Sequence, residues 1–350
     1  MKIAYIVPSL INQGPVIVVK NLINVLISRG CDIDLFYFDN DGTMDLKITP
    51  IRIKMTDIIP FDNYDIIHSH CFRPDLYVLM HKNYIHKAKI ISTLHQDTFQ
   101  TFRFQYNTLI SHILTDVWCS IQSRFNAIIT ISNQLKDSYS KRFKNIEVIY
   151  NGCNNISSQD IPDKKIVDAI ELMRNENKII LGTYAYITKR KGISQSIIAL
   201  SRLENYALVI IGDGPYVKSL MQLADQLNLS DRILFFSSQL NPQIYLKYID
   251  IYLMTSYSEG FGLAMVEAAL SHKAIICSDI PSFHEIFDAE EVDFFELDNI
   301  DSLISSILHI SKSIFLYGEN AYKKANNKFT KEIMAEKYYD YYNNLINNHQ

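Results

Sequence analysis

The chain has 350 residues, enough for two domains with separate cores, and its 48% hydrophobic and 21% charged residues exclude intrinsic disorder. Through residue 150 there are 16 Lys and Arg against 13 Asp and Glu, a balance of +3; the remainder has 18 against 25, a balance of −7. That distribution excludes a nucleic-acid binder, and the mildly basic first part hints at an anionic partner.

Met1-Lys2 leads directly into Ile3-Ala4-Tyr5-Ile6-Val7, which predicts a strand over Lys2–Val7 and is too short for the core of a secretion signal. Gly14-Pro15 follows; it reads either as a plain turn or as a loop that approaches a diphosphate or acceptor closely. Apolar spacing predicts a helix over Val16–Ser28, closed by Gly30, and then a strand over Ile33–Phe38. The pairs Asp32-x-Asp34 and Asp39-x-Asp41 have the form of metal-binding acids. They fall on this strand or the turn after it and read as surface acids.

Short apolar runs predict strands at Asp65–His68, Lys89–Leu94, Ala127–Ile131 and Glu147–Ile149, with helical material between several of them. His68, His70 and His95 fall at or just beyond strand ends, and His95 is the best placed to reach a cleft. A His-x-His metal pair at 68 and 70 lacks a third ligand. Phe99, Phe102, Arg103, Phe104 and Tyr106 read as core; the alternative, with Lys82, Lys87 and Lys89, is a basic-aromatic face towards lipid.

Turn residues at 150–155 and a polar stretch through Lys165 place a domain boundary near residue 160, giving domains 1–160 and 161–330. Further strands are predicted at Lys178–Gly182, Ala207–Ile211, Ile233–Phe236, Ile249–Thr255 and Ala274–Cys277. Helices are predicted at Ile193–Leu203, Tyr216–Asn228, Phe261–Leu270 and Lys331–Ile346. Near-continuously apolar strands alternating with helices mean parallel sheets covered on both faces. The fold class is therefore α/β: two doubly wound, Rossmann-like domains facing across a cleft at the carboxyl ends of their strands. The five cysteines are scattered singly and no run approaches the length of a membrane span, which fits a cytoplasmic protein. A peripheral contact with the membrane stays open.

The most informative segment is Ser258-Glu259-Gly260-Phe261-Gly262-Leu263-Ala264-Met265-Val266-Glu267. Two carboxylates bracket a glycine turn between a strand and a helix, where unpaired N–H groups and the helix dipole favour an anion. Carboxylates accept hydrogen bonds from neutral hydroxyls such as those of a sugar or ribose. The alternative makes Glu259 a loop residue and Glu267 an exposed helix residue. Thr188-Lys189-Arg190-Lys191-Gly192 is either a solvated charge run or a phosphate-neutralising loop, with Lys191 first and Arg190 next. Gly212-Asp213-Gly214-Pro215 is by itself a tight strand-to-helix turn, placed near a ligand only because it shares a sheet edge with Glu259.

These residues resemble the retaining glycosyltransferases of the GT-B fold, family four, across nearly the whole chain. Glu259 and Glu267 match its Glu-x7-Glu hallmark, and Gly212-Asp213-Gly214-Pro215 its GdGp turn. Ile67-His68-Ser69-His70 and Leu94-His95 look like its two histidine segments, and Tyr150-Asn151-Gly152 like its hinge. Ser278-Asp279-Ile280-Pro281 with Glu285-Ile286 looks like the segment that follows.

The resemblance implies a nucleotide-sugar donor, UDP favoured over GDP, held by the second domain. Lys191 and Arg190 would meet the diphosphate, Glu267 the ribose and Glu259 the donor sugar. Gly212, Gly214, Gly260, Phe261, Gly262 and Leu263 would line that site, while His95 and Gly14 come from the acceptor domain. Glu259, His95 and Lys191 are the residues implied in catalysis. No metal or cofactor is expected. The implied partners are an oligosaccharide or lipid-linked glycan acceptor of bacterial surface polysaccharide synthesis, and the inner membrane face as a peripheral contact. The final helix would cross back onto the first domain. Ala185-Tyr186-Ile187 stands where the family has Gly-Arg-Leu, and Pro15 replaces a second glycine. The rival readings are a sugar-nucleotide epimerase of the same architecture and a non-catalytic partner subunit.

Overall fold

The computed structural model describes residues 1–11, 14–39, 44–103, 106–154 and 161–347. Asp41, Phe104, Asn155 and the boundary expected at residue 160 lie outside the described residues. The chain forms two compact units, Met1–Cys153 with Lys331–Gln350, and Asn154–Thr330.

The amino-terminal unit holds strands β1 (Lys2–Ser9), β2 (Asp32–Asp39), β3 (Ile51–Arg52), β4 (Ile66–His70), β5 (Lys89–Leu94), β6 (Ala127–Thr130) and β7 (Ile146–Val148). All pair in parallel, in the order β3-β2-β1-β4-β5-β6-β7. The second unit holds β8 (Ile179–Tyr184), β9 (Tyr206–Ile211), β10 (Ile233–Phe236), β11 (Ile251–Met254), β12 (Ala274–Ser278) and β13 (Asp293–Phe295). Its order is β10-β9-β8-β11-β12-β13, again parallel. The central strands are apolar and β-branched on both faces because helices cover both; Ile3–Val7, Tyr206–Ile211 and Ala274–Ser278 are buried throughout. In each sheet the chain winds outward one way and then returns to the centre to wind the other. That reversal puts a topological switch point between β1 and β4 and another between β8 and β11, where loops diverge and leave room for a ligand.

The last helix, Lys331–Asn347, belongs to the amino-terminal unit. Its Met334, Ala335, Tyr338 and Tyr342 are buried, and the Lys331 amide donates to the Cys153 carbonyl at 3.0 Å. Arg29 and Glu336 add an ion pair at the edge.

On the other face of the first sheet, a single buried carboxylate organises the packing. Asp75, on the helix Phe72–Met80, accepts from Ser69 of β4 (2.6 Å), Ser92 of β5 (2.9 Å), Trp118 Nε1 (2.7 Å) and Gln122 Nε2 (3.1 Å). Burial pushes its pKa up to about 7, against the pull of the four donors.

Trp118 and Gln122 lie on the helix Thr108–Gln122, whose buried face also includes Ser111 and Thr115. Its outward face carries Leu109 (71% exposed), Ile113 (54%) and Val117 (47%). The buried side thus mixes Ser111, Thr115 and Gln122 with Trp118, Cys119 and Ile121, while the exposed side carries an apolar stripe that is uncommon on a surface helix.

Several sequence expectations need correction. β4 extends to His70, so His68 lies two residues inside the strand, while His70 ends it and His95 lies just past β5 as expected; His68 and His70 are buried. The basic-aromatic face does not form as one surface. Lys87 and Lys89 sit at the start of β5 and Phe99 follows its end, about 16 Å away along six extended residues. Lys87 pairs there with Asp65. Of the acid pairs, Asp32 binds Lys2, Asp34 accepts from the Tyr64 hydroxyl and Asp39 binds Arg73.

Asp75→Ala orphans up to four buried donors, each worth about 1–3 kcal/mol, so a loss of about 3 kcal/mol or more is expected. Urea unfolding reads this as a lower midpoint at unchanged slope.

Candidate active site

At the switch point of the second sheet, the loops after β8 and β11 are stitched together by hydrogen bonds. The Tyr257 amide donates to the Arg190 carbonyl at 2.9 Å, and the Thr255 hydroxyl to the Lys191 carbonyl at 3.1 Å. This places the cations of one loop against the carboxylate of the other. Glu259 Oε1 receives Lys191 Nζ at 2.6 Å, Arg190 Nη1 at 3.2 Å and Ser256 Oγ at 2.7 Å. Arg190 also donates to the Ser258 carbonyl.

The Glu259 side chain is 11% exposed. Burial alone would raise its pKa, but the fields of Lys191 and Arg190 outweigh that and hold it at about 2. Glu259 is therefore a carboxylate, with Oε2 unengaged among the described residues. Two cations against one carboxylate leave a net positive charge in the loop pair.

Gly262 is left-handed, at φ +89°, and a Cβ there would meet the Phe283 ring at 3.0 Å. It opens the helix Leu263–Leu270, whose N terminus has no side-chain cap. One turn along, Glu267 is half-buried and takes the Tyr184 hydroxyl on Oε2 at 2.5 Å. Burial pushes its pKa up to about 7, with Tyr184 pulling the other way. Oε1 has no partner among the described residues. Both glutamates thus have one oxygen tied to the protein and one left to accept from a ligand.

The other expected residues sort by environment. The Phe261 side chain is buried edge-to-face on Phe329 at 5.6 Å, so only its backbone lies at the turn. Gly212 and Gly214 have a packing reason to be glycine: a Cβ would sit 1.9 Å from the Ala185 carbonyl oxygen and 2.2 Å from that of Ile187. Gly260 and Leu263 are partly exposed at the turn, and Lys189 is exposed beside the cation pair. Tyr186 is 62% exposed and brings no charge; Arg190 is the guanidinium that reaches Glu259. Gly14 is the first residue of the helix Gly14–Ser28, at the switch point of the first sheet.

Also in the first unit, His95 Nε2 lies 2.8 Å from His70 Nδ1. The His70 ring stacks on His68 with centroids 4.3 Å apart. His68 spends both nitrogens on the protein, Nδ1 with the Tyr342 hydroxyl at 2.6 Å and Nε2 with Thr93 Oγ1 at 2.7 Å. Burial pushes the His95 pKa down to about 3, so it is neutral near pH 7. Among the described residues, no group of three His, Cys, Asp or Glu side chains is arranged to hold a metal.

Sequence reasoning missed Tyr184, Ser256, Thr93 and Tyr342. Ser256 lies three residues before Glu259 and Tyr184 ends an apolar strand, faint signals at best. Tyr342 stands 274 residues from His68 and offers no local signal.

The chain matches the family described as glycosyl transferases group 1 over residues 166–324, and that described as glycosyltransferase family 4 over 13–155. It is 32% identical over 356 aligned residues to the O-antigen biosynthesis glycosyltransferase WclY of Escherichia coli, covering 99% of both chains. It is 25% identical to the N-acetylgalactosamine-N,N'-diacetylbacillosaminyl-diphospho-undecaprenol 4-alpha-N-acetylgalactosaminyltransferase of Campylobacter jejuni, covering 67% of this chain and 64% of that one. The structure of Anabaena HepE in complex with UDP and glucose superposes with a TM-score of 0.79 at 16% identity, covering 97% of this chain and 99% of that one. With the two doubly wound units and the paired glutamates already in place, these matches make the chain a member of glycosyltransferase family 4, a glycosyltransferase of the GT-B fold.

Proposed function

We propose that this glycosyltransferase retains anomeric configuration and moves a hexose or N-acetylhexosamine from a UDP-sugar to a lipid-linked or oligosaccharide acceptor, in O-antigen or capsule synthesis, without a metal. The observation that carries the donor assignment is the pair of half-tied glutamates beside a loop pair with excess positive charge. Glu259 Oε2 accepts from the donor sugar's hydroxyls and Glu267 Oε1 from the ribose. The backbone of Gly260–Leu263 and the helix start approach the sugar or phosphate. Lys191 and Arg190 face the diphosphate and stabilise the charge that develops on it as it leaves, the role a metal ion fills in other transferases.

UDP is favoured because HepE is seen with UDP and glucose. The acceptor class follows WclY and the undecaprenol-linked substrate in the Campylobacter enzyme's name. In the first unit, His95 and the Gly14 turn serve the acceptor. The outward stripe Leu109–Ile113–Val117 supports a peripheral contact with an anionic membrane face. It begins at the sheet edge that delivers His95, and Arg103 and Arg124 flank its two ends.

The direct test combines a thermal-shift screen of UDP, GDP and ADP with transfer assays. UDP is expected to raise the melting temperature. Glu259→Ala and Lys191→Ala are each expected to lose about 100-fold or more in kcat while remaining folded. Wild-type rates in either variant would remove that residue from the site, and a complete, metal-rescued loss in EDTA would remove the metal-free reading.

Glu267 adds a pH signature. Its ionised form is the better acceptor for ribose hydroxyls and its pKa lies at about 7, so the KM for the donor should fall as pH rises from about 6 to about 8. Glu267→Gln should flatten that dependence.

For the membrane contact, sedimentation with phosphatidylglycerol vesicles should fall in Leu109→Asp/Ile113→Asp, with transfer to a soluble acceptor unchanged. Equal sedimentation would place the contact elsewhere.

A further inference from the structure

His68, His70 and His95 of the first unit form a row, the first two buried and His95 partly exposed, and two of their six ring nitrogens take no bond among the described residues, His70 Nε2 and His95 Nδ1. His70 Nε2 is buried and has no hydrogen-bond partner among the described residues. His70 Nδ1 and His95 Nε2 lie 2.8 Å apart, so one of them must carry the shared proton. If His95 donated, the neutral His70 would carry its own proton on Nε2, as a buried N–H with nothing to receive it. If His70 donates from Nδ1, only a lone pair is orphaned at Nε2. Buried N–H groups without acceptors are the rarer of the two in folded proteins. A charged His70, which would donate from both nitrogens, is disfavoured by its burial between two other imidazoles.

We infer that His70 is a positioning residue that donates its Nδ1 proton to His95 Nε2 and thereby holds His95 as the Nδ1–H tautomer, a hydrogen-bond donor to its ligand and not a general base. The inference rests on the reading of His95 as a residue that meets ligand. Both ring nitrogens of His95 then have fixed duties. The Nε2 lone pair is occupied by His70. Nδ1 carries the proton and takes no bond among the described residues, so it presents an N–H to an oxygen of the bound sugar or phosphate.

The rest of the row keeps His70 in place. β4 sets His68 and His70 two residues apart on one face, and their rings stack. Tyr342 of the last helix and Thr93 of β5 hold His68 from both sides, and Tyr5 of β1 packs against both imidazoles. The row thus leads from the buried C-terminal helix to a ring at the open edge of the sheet.

The test uses the full-length protein labelled with ¹⁵N-histidine, the His95 signals being assigned by their loss in His95→Gln. The expected wild-type spectrum shows His95 protonated at Nδ1 and unprotonated at Nε2; a proton on Nε2 overturns the inference outright. Two variants separate positioning from packing. His70→Asn places an amide N–H where Nδ1 stands, and should keep both the tautomer and kcat. His70→Leu fills the space without a donor; it should release the tautomer and lower kcat on the order of tenfold or more at unchanged melting temperature. Retained activity in His70→Leu together with loss in His70→Asn would also overturn it. Should His70→Leu fail to fold, the wild-type spectrum still decides. Should no sugar transfer be found at all, the donor assignment fails, while the tautomer is read independently of it.

Discussion

Glu259 can remain ionised at one-tenth exposure only because Lys191, Arg190 and Ser256 all meet the same oxygen. That requirement ties the loop after β8 to the loop after β11, and the bonds from the Tyr257 amide and the Thr255 hydroxyl add to the tie. A carboxylate on its own would be pushed towards protonation by burial, and the cations on their own would leave the loop repelled and solvated. Together they make a preorganised group with an excess positive charge and one free acceptor oxygen. The glycine turn, the helix start and the Tyr184–Glu267 pair are arranged around it.

The position of this cluster follows from sheet topology. β8 and β11 are neighbours in space though far apart in sequence, because the chain winds out through β9 and β10 before returning. Loops leaving two such strands run in opposite directions, so their starts can face a ligand without covering it. The first unit repeats the arrangement at β1 and β4, with Gly14 following one strand and His70 ending the other. The same architecture therefore presents charge in one unit and a neutral imidazole row in the other.

Buried polar groups serve different ends in the two units. Asp75 has four donors and no ion-pair partner among the described residues, and two of those donors, Trp118 and Gln122, fasten the helix Thr108–Gln122. Leu109, Ile113 and Val117 are left facing outward as a consequence. The second unit uses charge to hold Glu259 ionised, whereas the first uses a buried carboxylate to hold the helix Thr108–Gln122 with Leu109, Ile113 and Val117 outward.

Strands were legible in the residue order because parallel strands covered on both faces read as unbroken apolar runs; Lys89–Leu94 and Ile233–Phe236 needed nothing more. The Glu-Gly-Phe-Gly turn was legible because glycine spacing and a following helix pattern are local properties. The side on which a helix is buried is not. Thr108–Gln122 shows an apolar stripe whose period says helix, but only the donors gathered by Asp75 decide that the stripe faces out. The end of β4 lies two residues beyond the expected one for a similar reason, since Ser69 and His70 are polar by type and find partners in Asp75 of the following helix and in His95 just past β5. Residue order by itself determined the two α/β units, the paired glutamates and the cation loop. Tertiary structure alone decided that Lys191 meets Glu259 across 68 residues and that Tyr342 meets His68 across 274. Hydrogen bonds and ion pairs act over about 3 Å of space, and separation along the chain carries no information about that distance.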